Sequence, residues 1–82
     1  MPSMETTICI GQILLFAGNF APVGWLPCDG RKLLIREQMA LYSIIGDTYG
    51  GDGRTEFSLP KFPNMQQAIY IIAIAGQFPR RP

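Results

Sequence analysis

The side chains able to do chemistry in this 82-residue chain are few, and the absence of histidine narrows them at once. Imidazole general bases, histidine metal sites and imidazole pH switches are excluded together. The two cysteines, Cys9 and Cys28, allow at most one disulfide and cannot form a four-cysteine zinc site. Cys28 stands beside Asp29. An adjacent carboxylate raises a thiol pKa rather than lowering it, so a nucleophilic role is disfavoured and a buried thiol is expected. Gly50-Gly51-Asp52-Gly53 invites comparison with a phosphate-binding loop, but no Gly-Lys-Ser/Thr follows and no long apolar strand leads directly into it. The EF-hand pattern fails too, because Tyr49 would fall at the third ligand position. The expectation is a tight turn in which Asp52 bonds backbone amides, with a weak cation site from Asp47, Asp52 and Glu56 as the lesser reading. No catalytic residue, no metal and no cofactor is expected.

The remaining candidates are contacts to a ligand. Trp25, Tyr49, Arg54 and Lys61 could meet a cell-surface glycan, and Arg80 and Arg81 add cations near the C-terminus. Each has a plainer reading: a lone Trp in a Pro/Gly-framed loop plugs a small core, and scattered cations are solvated or make intersubunit salt bridges.

Composition sets the frame. Seven basic against six acidic residues leave a net charge of +1, far from the basic stripe that a phosphate backbone demands, so nucleic acid is not an expected partner. With 48% apolar and only 16% charged residues, disorder is also excluded. The length fits a single small domain over residues 1–82. A chain of this size buries only about 60–65% of its unfolded surface, so its own core is thin. The start, Met1-Pro2-Ser3-Met4-Glu5, lacks the basic opening and apolar stretch of a secretory signal, and Met1 favours a chain that does not leave by that route. The greasy run from Ala68 to Gly76 is too short to cross a bilayer as a helix.

The elements that must position these residues follow from pattern. Residues 1–7 are polar and expected to fray. The β-branched and apolar run from Ile8 to Phe16 predicts a strand, and the Pro/Gly-rich segment from Ala21 to Gly30 an ordered loop. Lys32 to Ile35 predicts a short strand. Leu41, Ile44 and Ile45 at helical spacing predict a helix over 37–45, with Glu37 early and Gly46 placed to stop it. Residues 47–53 predict a shaped turn, Phe57 to Leu59 a short strand, and Pro60 to Asn64 an extended segment. Ala68 to Ala75 is apolar on both faces of any strand and should be central or covered on both sides. Residues 77–82 form a C-terminal tip. The fold class is therefore α+β: a small, mostly antiparallel sheet, one short helix and long ordered Gly/Pro loops.

Two loops carry a resemblance. Gly18, Pro22, Gly24, Trp25, Cys28, Asp29 and Gly30, followed by Tyr49-Gly50-Gly51-Asp52-Gly53 and then Phe57-x-Leu59-Pro60, are similar to the motifs of the phage tail collar domain family. The helix ending at Ile45-Gly46 lies between them, and order and spacing agree over roughly residues 11–60. The family includes the collar region of phage short tail fibres and bacterial proteins labelled microcystin-dependent. Longer bacterial members usually carry an Arg-Gly-Arg run after the Leu-Pro segment and then a long insert. Here Pro60 leads through Lys61-Phe62-Pro63-Asn64 to the last strand, so the chain resembles a stripped core of the family. The resemblance implies a structural role and trimers in phage fibres, not an enzyme.

The closing strand adds a physical expectation. Ile69, Tyr70, Ile71, Ile72 and Ile74 form part of an apolar run that a small fold covers with difficulty. If that run lay at a sheet edge, it would template pairing with another copy. The expected function is a self-assembling subunit of an extracellular or virion-associated fibre, polymerising through the terminal strands as a trimer or filament. The alternative is a glycan-binding adhesin module.

Overall fold

The computed structural model describes residues 8–79; the expected frayed start over 1–7, and Arg80 to Pro82 of the C-terminal tip, lie outside the described residues. Five strands alternate with one helical segment: β1 (Ile13–Phe16), β2 (Trp25–Pro27), β3 (Lys32–Leu34), a 3-10 turn (Ile35–Glu37), α1 (Met39–Ile45), β4 (Glu56–Ser58) and β5 (Ile69–Ala73). They form a three-stranded antiparallel sheet in the order β1-β5-β2 and a two-stranded antiparallel sheet, β3-β4. The architecture is α+β, as the sequence pattern predicts.

The apolar closing strand is central. Register places Ile72 opposite Ile13 on one side and Leu26 on the other, and Ile71 between Leu14 and Pro27. Because strand side chains alternate, Ile13, Leu15, Leu26, Tyr70 and Ile72 share one face, while Leu14, Phe16, Trp25, Pro27, Ile69, Ile71 and Ala73 share the other. The first face carries the main core, in which Ile72 meets Ile10, Cys28, Leu41, Phe57 and Leu59. On the second face Ile71 and Ala73 are also buried, flanked by larger neighbours on both adjoining strands.

This placement corrects the expectation that the terminal strand pairs with another copy. Residues 69, 71 and 73 direct their main-chain groups toward β1, and 70, 72 and 74 toward β2: the Ala73 N–H donates to the Gln12 carbonyl at 2.9 Å, and Ile74 donates to Gly24 at 2.9 Å. Neither edge of β5 is free.

Two further expectations shift. The predicted strand over 8–16 narrows to Ile13–Phe16, because Gly11 and Gln12 both bond Ala73, two residues facing one as in a β-bulge. Upstream of that kink the chain leaves β5 and follows the C-terminal segment instead, with the Ile10 N–H donating to Gln77 and Gln77 donating back to Ile8, both at 2.9 Å. The predicted helix over 37–45 splits into the 3-10 turn and α1, broken at Gln38. The physical cause is that Ile35, the first residue after β3, donates its N–H to Thr55 at 2.9 Å and so holds the first turn against the loop before β4. Gly46 does stop the helix, at φ +59, its N–H donating to Tyr42 at 2.7 Å.

Phe57 joins the layers. It is fully buried and meets the Tyr42 ring edge-on at 5.2 Å, so β4 is fixed to α1 through one aromatic pair. Phe57→Ala should lose about 3–5 kcal/mol, most of the stability of a chain this size. Urea unfolding followed by circular dichroism checks it, and a loss under about 1 kcal/mol would show that the site collapses onto the cavity.

Candidate functional site

The loop from Gly18 to Arg31 exists to lay β2 on β5. A reversal closes with the Trp25 N–H donating to the Pro22 carbonyl at 3.0 Å, and Gly24 is the third residue of that turn. Trp25 then pairs with Ala73 and lies half-buried on the sheet face away from the main core, so it does not plug that core. Gly18 donates to Phe16 at 2.9 Å, and Phe20 packs edge-on against Phe16 at 6.3 Å. Cys28 is buried: its N–H donates to Tyr70 at 2.9 Å and its carbonyl accepts from Phe62 at 3.0 Å. Burial, with the Asp29 charge as the smaller cause, pushes its thiol up to about 11, which leaves it protonated and unreactive at neutral pH. Both cysteines are free. Gly30 donates to Pro60 at 3.2 Å and the backbones of Asp29 and Lys61 pair in an isolated antiparallel β-bridge, tying this loop to the segment after β4.

The sequence Asp-Gly-Arg occurs here and again at Asp52-Gly53-Arg54, and in both places the Asp accepts the N–H of the Arg two residues on. In the first copy the Arg31 guanidinium also folds back, donating through Nε to Asp29 Oδ1 at 3.1 Å and through Nη2 to Oδ2 at 2.9 Å. That fork holds the Asp29 carboxyl below its usual range, although the pair is half in solvent and adds little stability. In the second copy Asp52 Oδ1 accepts three backbone N–H groups, from Arg54 at 2.9 Å, Thr55 at 2.8 Å and Glu56 at 3.0 Å. Those amides pull the Asp52 carboxyl down to about 2. The turn is therefore an amide-binding device, as its sequence predicts. Asp47 and Glu56 do not complete a cation cage with Asp52: among the described residues no cluster of three such side chains is placed to hold a metal ion.

Gly51 makes the closest approach in this turn. At φ +116 it bridges to Phe57, and a Cβ there would lie 2.5 Å from the Glu56 carbonyl oxygen and the Phe57 Cα. Gly50 donates to Asp47 at 3.1 Å and accepts from Ser58 at 2.9 Å, and Gly53 sits over the Asp47 carboxylate. Phe57, Leu59 and Pro60 are all buried immediately downstream.

The Phage Tail Collar Domain family model matches residues 11–66, a stretch that holds both loops, α1 between them and the Phe-x-Leu-Pro segment. The chain belongs to that family. Comparison with curated proteins and with solved structures gave no match. Collar domains are structural modules of phage tail fibres, typically oligomeric and not known for enzymatic activity, and membership implies a virion-associated tail fibre. No helix among the described residues is long and apolar enough to cross a membrane.

The four candidate ligand contacts come from different parts of the scaffold. Trp25 is on β2, Tyr49 is exposed at the start of the Gly-rich turn, and Lys61 follows β4 beside Asp29. Arg54 lines a cavity, with Leu34, Ile35, Arg36, Met39 and Thr55. Sequence reasoning missed Arg36 and Arg31. The recurrent Asp-Gly-Arg tripeptide was the available signal for Arg31; Arg36 had none, because its position depends on the 3-10 turn.

Two outcomes test the Gly-rich turn. Gly51→Ala should unfold the chain, whereas Gly46→Ala, where a Cβ meets nothing within 4 Å, should cost only the strain of its glycine-type backbone, about 1–3 kcal/mol; thermal melts compare them. Asp52 has a folded pKa below its ordinary 3.8, so its contribution is complete above that value and drains away as the pH falls toward 2. Asp52→Asn should flatten the stability profile between about pH 4 and pH 2. An unchanged acid limb would show that the amide bonds do not favour the charged form.

Proposed function

We propose that this collar module assembles with copies of itself in an outward-facing, extracellular tail fibre, and that the contact runs along β1. One observation carries the reading: β1 is an apolar edge strand with no charge and no proline. The Gln12–Ala73 bond sets the phase of the ladder, so Leu14 and Phe16 face β5 while Ile13 and Leu15 turn their N–H and C=O groups outward. Their side chains are 36% and 48% exposed. The opposite edge is closed. Pro27 has no N–H to offer, and the Trp25 N–H is already given to Pro22.

An unguarded apolar edge of this kind pairs with another strand unless something blunts it. Antiparallel pairing of Ile13–Phe16 with the same strand of a second copy is self-complementary. It also extends the second sheet face, where Leu14, Phe16 and the exposed Phe20 offer apolar surface to further copies in a trimer or filament. Typical oligomerisation of collar domains agrees with this reading.

Sedimentation velocity with negative-stain microscopy tests it. The wild-type chain should run as oligomers or fibres, and Leu15→Lys, at a half-exposed edge position, should run as a folded monomer with an unchanged circular dichroism spectrum. A compact wild-type monomer at high concentration ends the assembly reading. Fibres that survive Leu15→Lys end the β1 contact.

A further inference from the structure

The cavity at Arg54 has a volume of about 380 Å³, within the range of small-molecule sites. Its two walls come from different parts of the chain: Leu34, Ile35, Arg36 and Met39 run from the end of β3 into α1, and Arg54 and Thr55 belong to the loop held by Asp52. The walls are bonded to each other, since Ile35 donates its N–H to the Thr55 carbonyl at 2.9 Å. The second wall is fixed as well, because Asp52 Oδ1 accepts the N–H groups of both Arg54 and Thr55. The backbone on both sides of the cleft is thus fixed.

Among the described residues no acidic side chain lines this cleft, and the one ion pair is Arg31–Asp29, so neither Arg36 nor Arg54 is held in a salt bridge there. The two Asp-Gly-Arg copies differ in this respect. Arg31 folds onto its own Asp, whereas Asp52 gives its Oδ1 to three amides and makes no ion pair with Arg54. Arg36 approaches from the other wall. Two guanidiniums at one cavity repel each other and offer paired N–H donors in the geometry that carboxylate and phosphate oxygens accept. Between them Leu34, Ile35 and the 66% exposed Met39 supply an aliphatic floor. A flexible thioether beside branched aliphatics offers an adaptable apolar surface to the C–H groups of a ligand. The Thr55 hydroxyl, without a protein partner among the described residues, suits a ring hydroxyl.

We infer that the cleft between Arg36 and Arg54 is a binding site for an anionic sugar, a single pyranose bearing a carboxylate or phosphate. Arg36 and Arg54 hold the anionic oxygens, Thr55 holds a hydroxyl, and the Leu34–Ile35–Met39 wall packs on the ring. The site uses no residue of β1, so it stands or falls independently of assembly.

The test is a titration of the full chain, followed by amide NMR, with methyl glucuronide, glucose 6-phosphate, neutral methyl glucoside, inorganic phosphate and a short poly-aspartate peptide. Glucuronide or glucose 6-phosphate should shift the amides of Arg36, Met39, Arg54 and Thr55 saturably, with Kd near ~1 mM, and whichever binds tighter identifies the anionic group. Arg36→Gln and Arg54→Gln should each weaken binding at least about tenfold while leaving the spectrum dispersed. Arg36→Lys, which keeps the charge but not the fork, should fall between. Equal binding of neutral glucoside, binding indifferent to these variants, or no saturation with either anionic sugar overturns the proposal. Inorganic phosphate binding as well as glucose 6-phosphate would overturn the sugar half of it, and preferential binding of poly-aspartate would assign the cleft to an acidic peptide instead.

Discussion

The position of β5 between β1 and β2 is the constraint from which the rest of this small fold follows. A chain of 82 residues has little volume with which to cover a strand that is apolar on both faces. The solution is to flank it on both sides with strands drawn from the N-terminal third. One face then packs Ile72 into the main core with Leu41, Phe57 and Leu59, and the other buries Ile71 and Ala73 between larger neighbours. The pairing leaves every β5 main-chain group facing a partner strand, which stabilises the run and denies it to other chains. The long Pro/Gly loop before β3 is a consequence: it must reverse at Pro22–Trp25 to lay β2 antiparallel to β5, then carry Cys28 into the core.

Carboxylates replace regular structure where the chain has none. Helix and strand account for less than half of the described residues, so loop amides need other acceptors. Asp29 and Asp52 supply them in the same local form, each bonding the amide two residues on. What differs is how many amides each carboxylate receives and whether the neighbouring arginine folds back onto it. With one amide bound, Asp29 still accepts a guanidinium; with three bound through a single oxygen, Asp52 forms no such pair with Arg54.

The sequence discloses features that local chemistry dictates and conceals those that depend on distant pairing. The strand over 69–73, the stop at Gly46, the buried thiol of Cys28 and the amide-binding role of Asp52 were all legible, because each follows from residue type, spacing or immediate neighbours. The two loop motifs were legible as a family pattern, and the profile match over residues 11–66 agrees with them. The break of the first strand was not, because it arises from two residues meeting Ala73, more than sixty positions away. The split helix was concealed for the same reason, its first turn being held by Thr55. Trp25 misled because its surroundings of Pro and Gly say nothing about which sheet face a strand residue takes; that is set by register with Ala73.

The same distinction relocates the proposed surface for assembly. An apolar run attracts suspicion as an interface in proportion to its length, which points at β5. Pairing depends instead on which main-chain groups remain unanswered, and that is decided by strand order. β5 is the greasiest strand and the least available. β1 is shorter, but it stands at the edge with its odd-numbered residues turned outward, and the proline and the Pro22 turn that close β2 have no equivalent there. Burying the most apolar segment at the centre therefore does not remove the problem of apolar surface from a fold this thin. It transfers part of the problem to the flanking strand, where Ile13 and Leu15 pair correctly on one side and still present hydrocarbon and free backbone groups on the other.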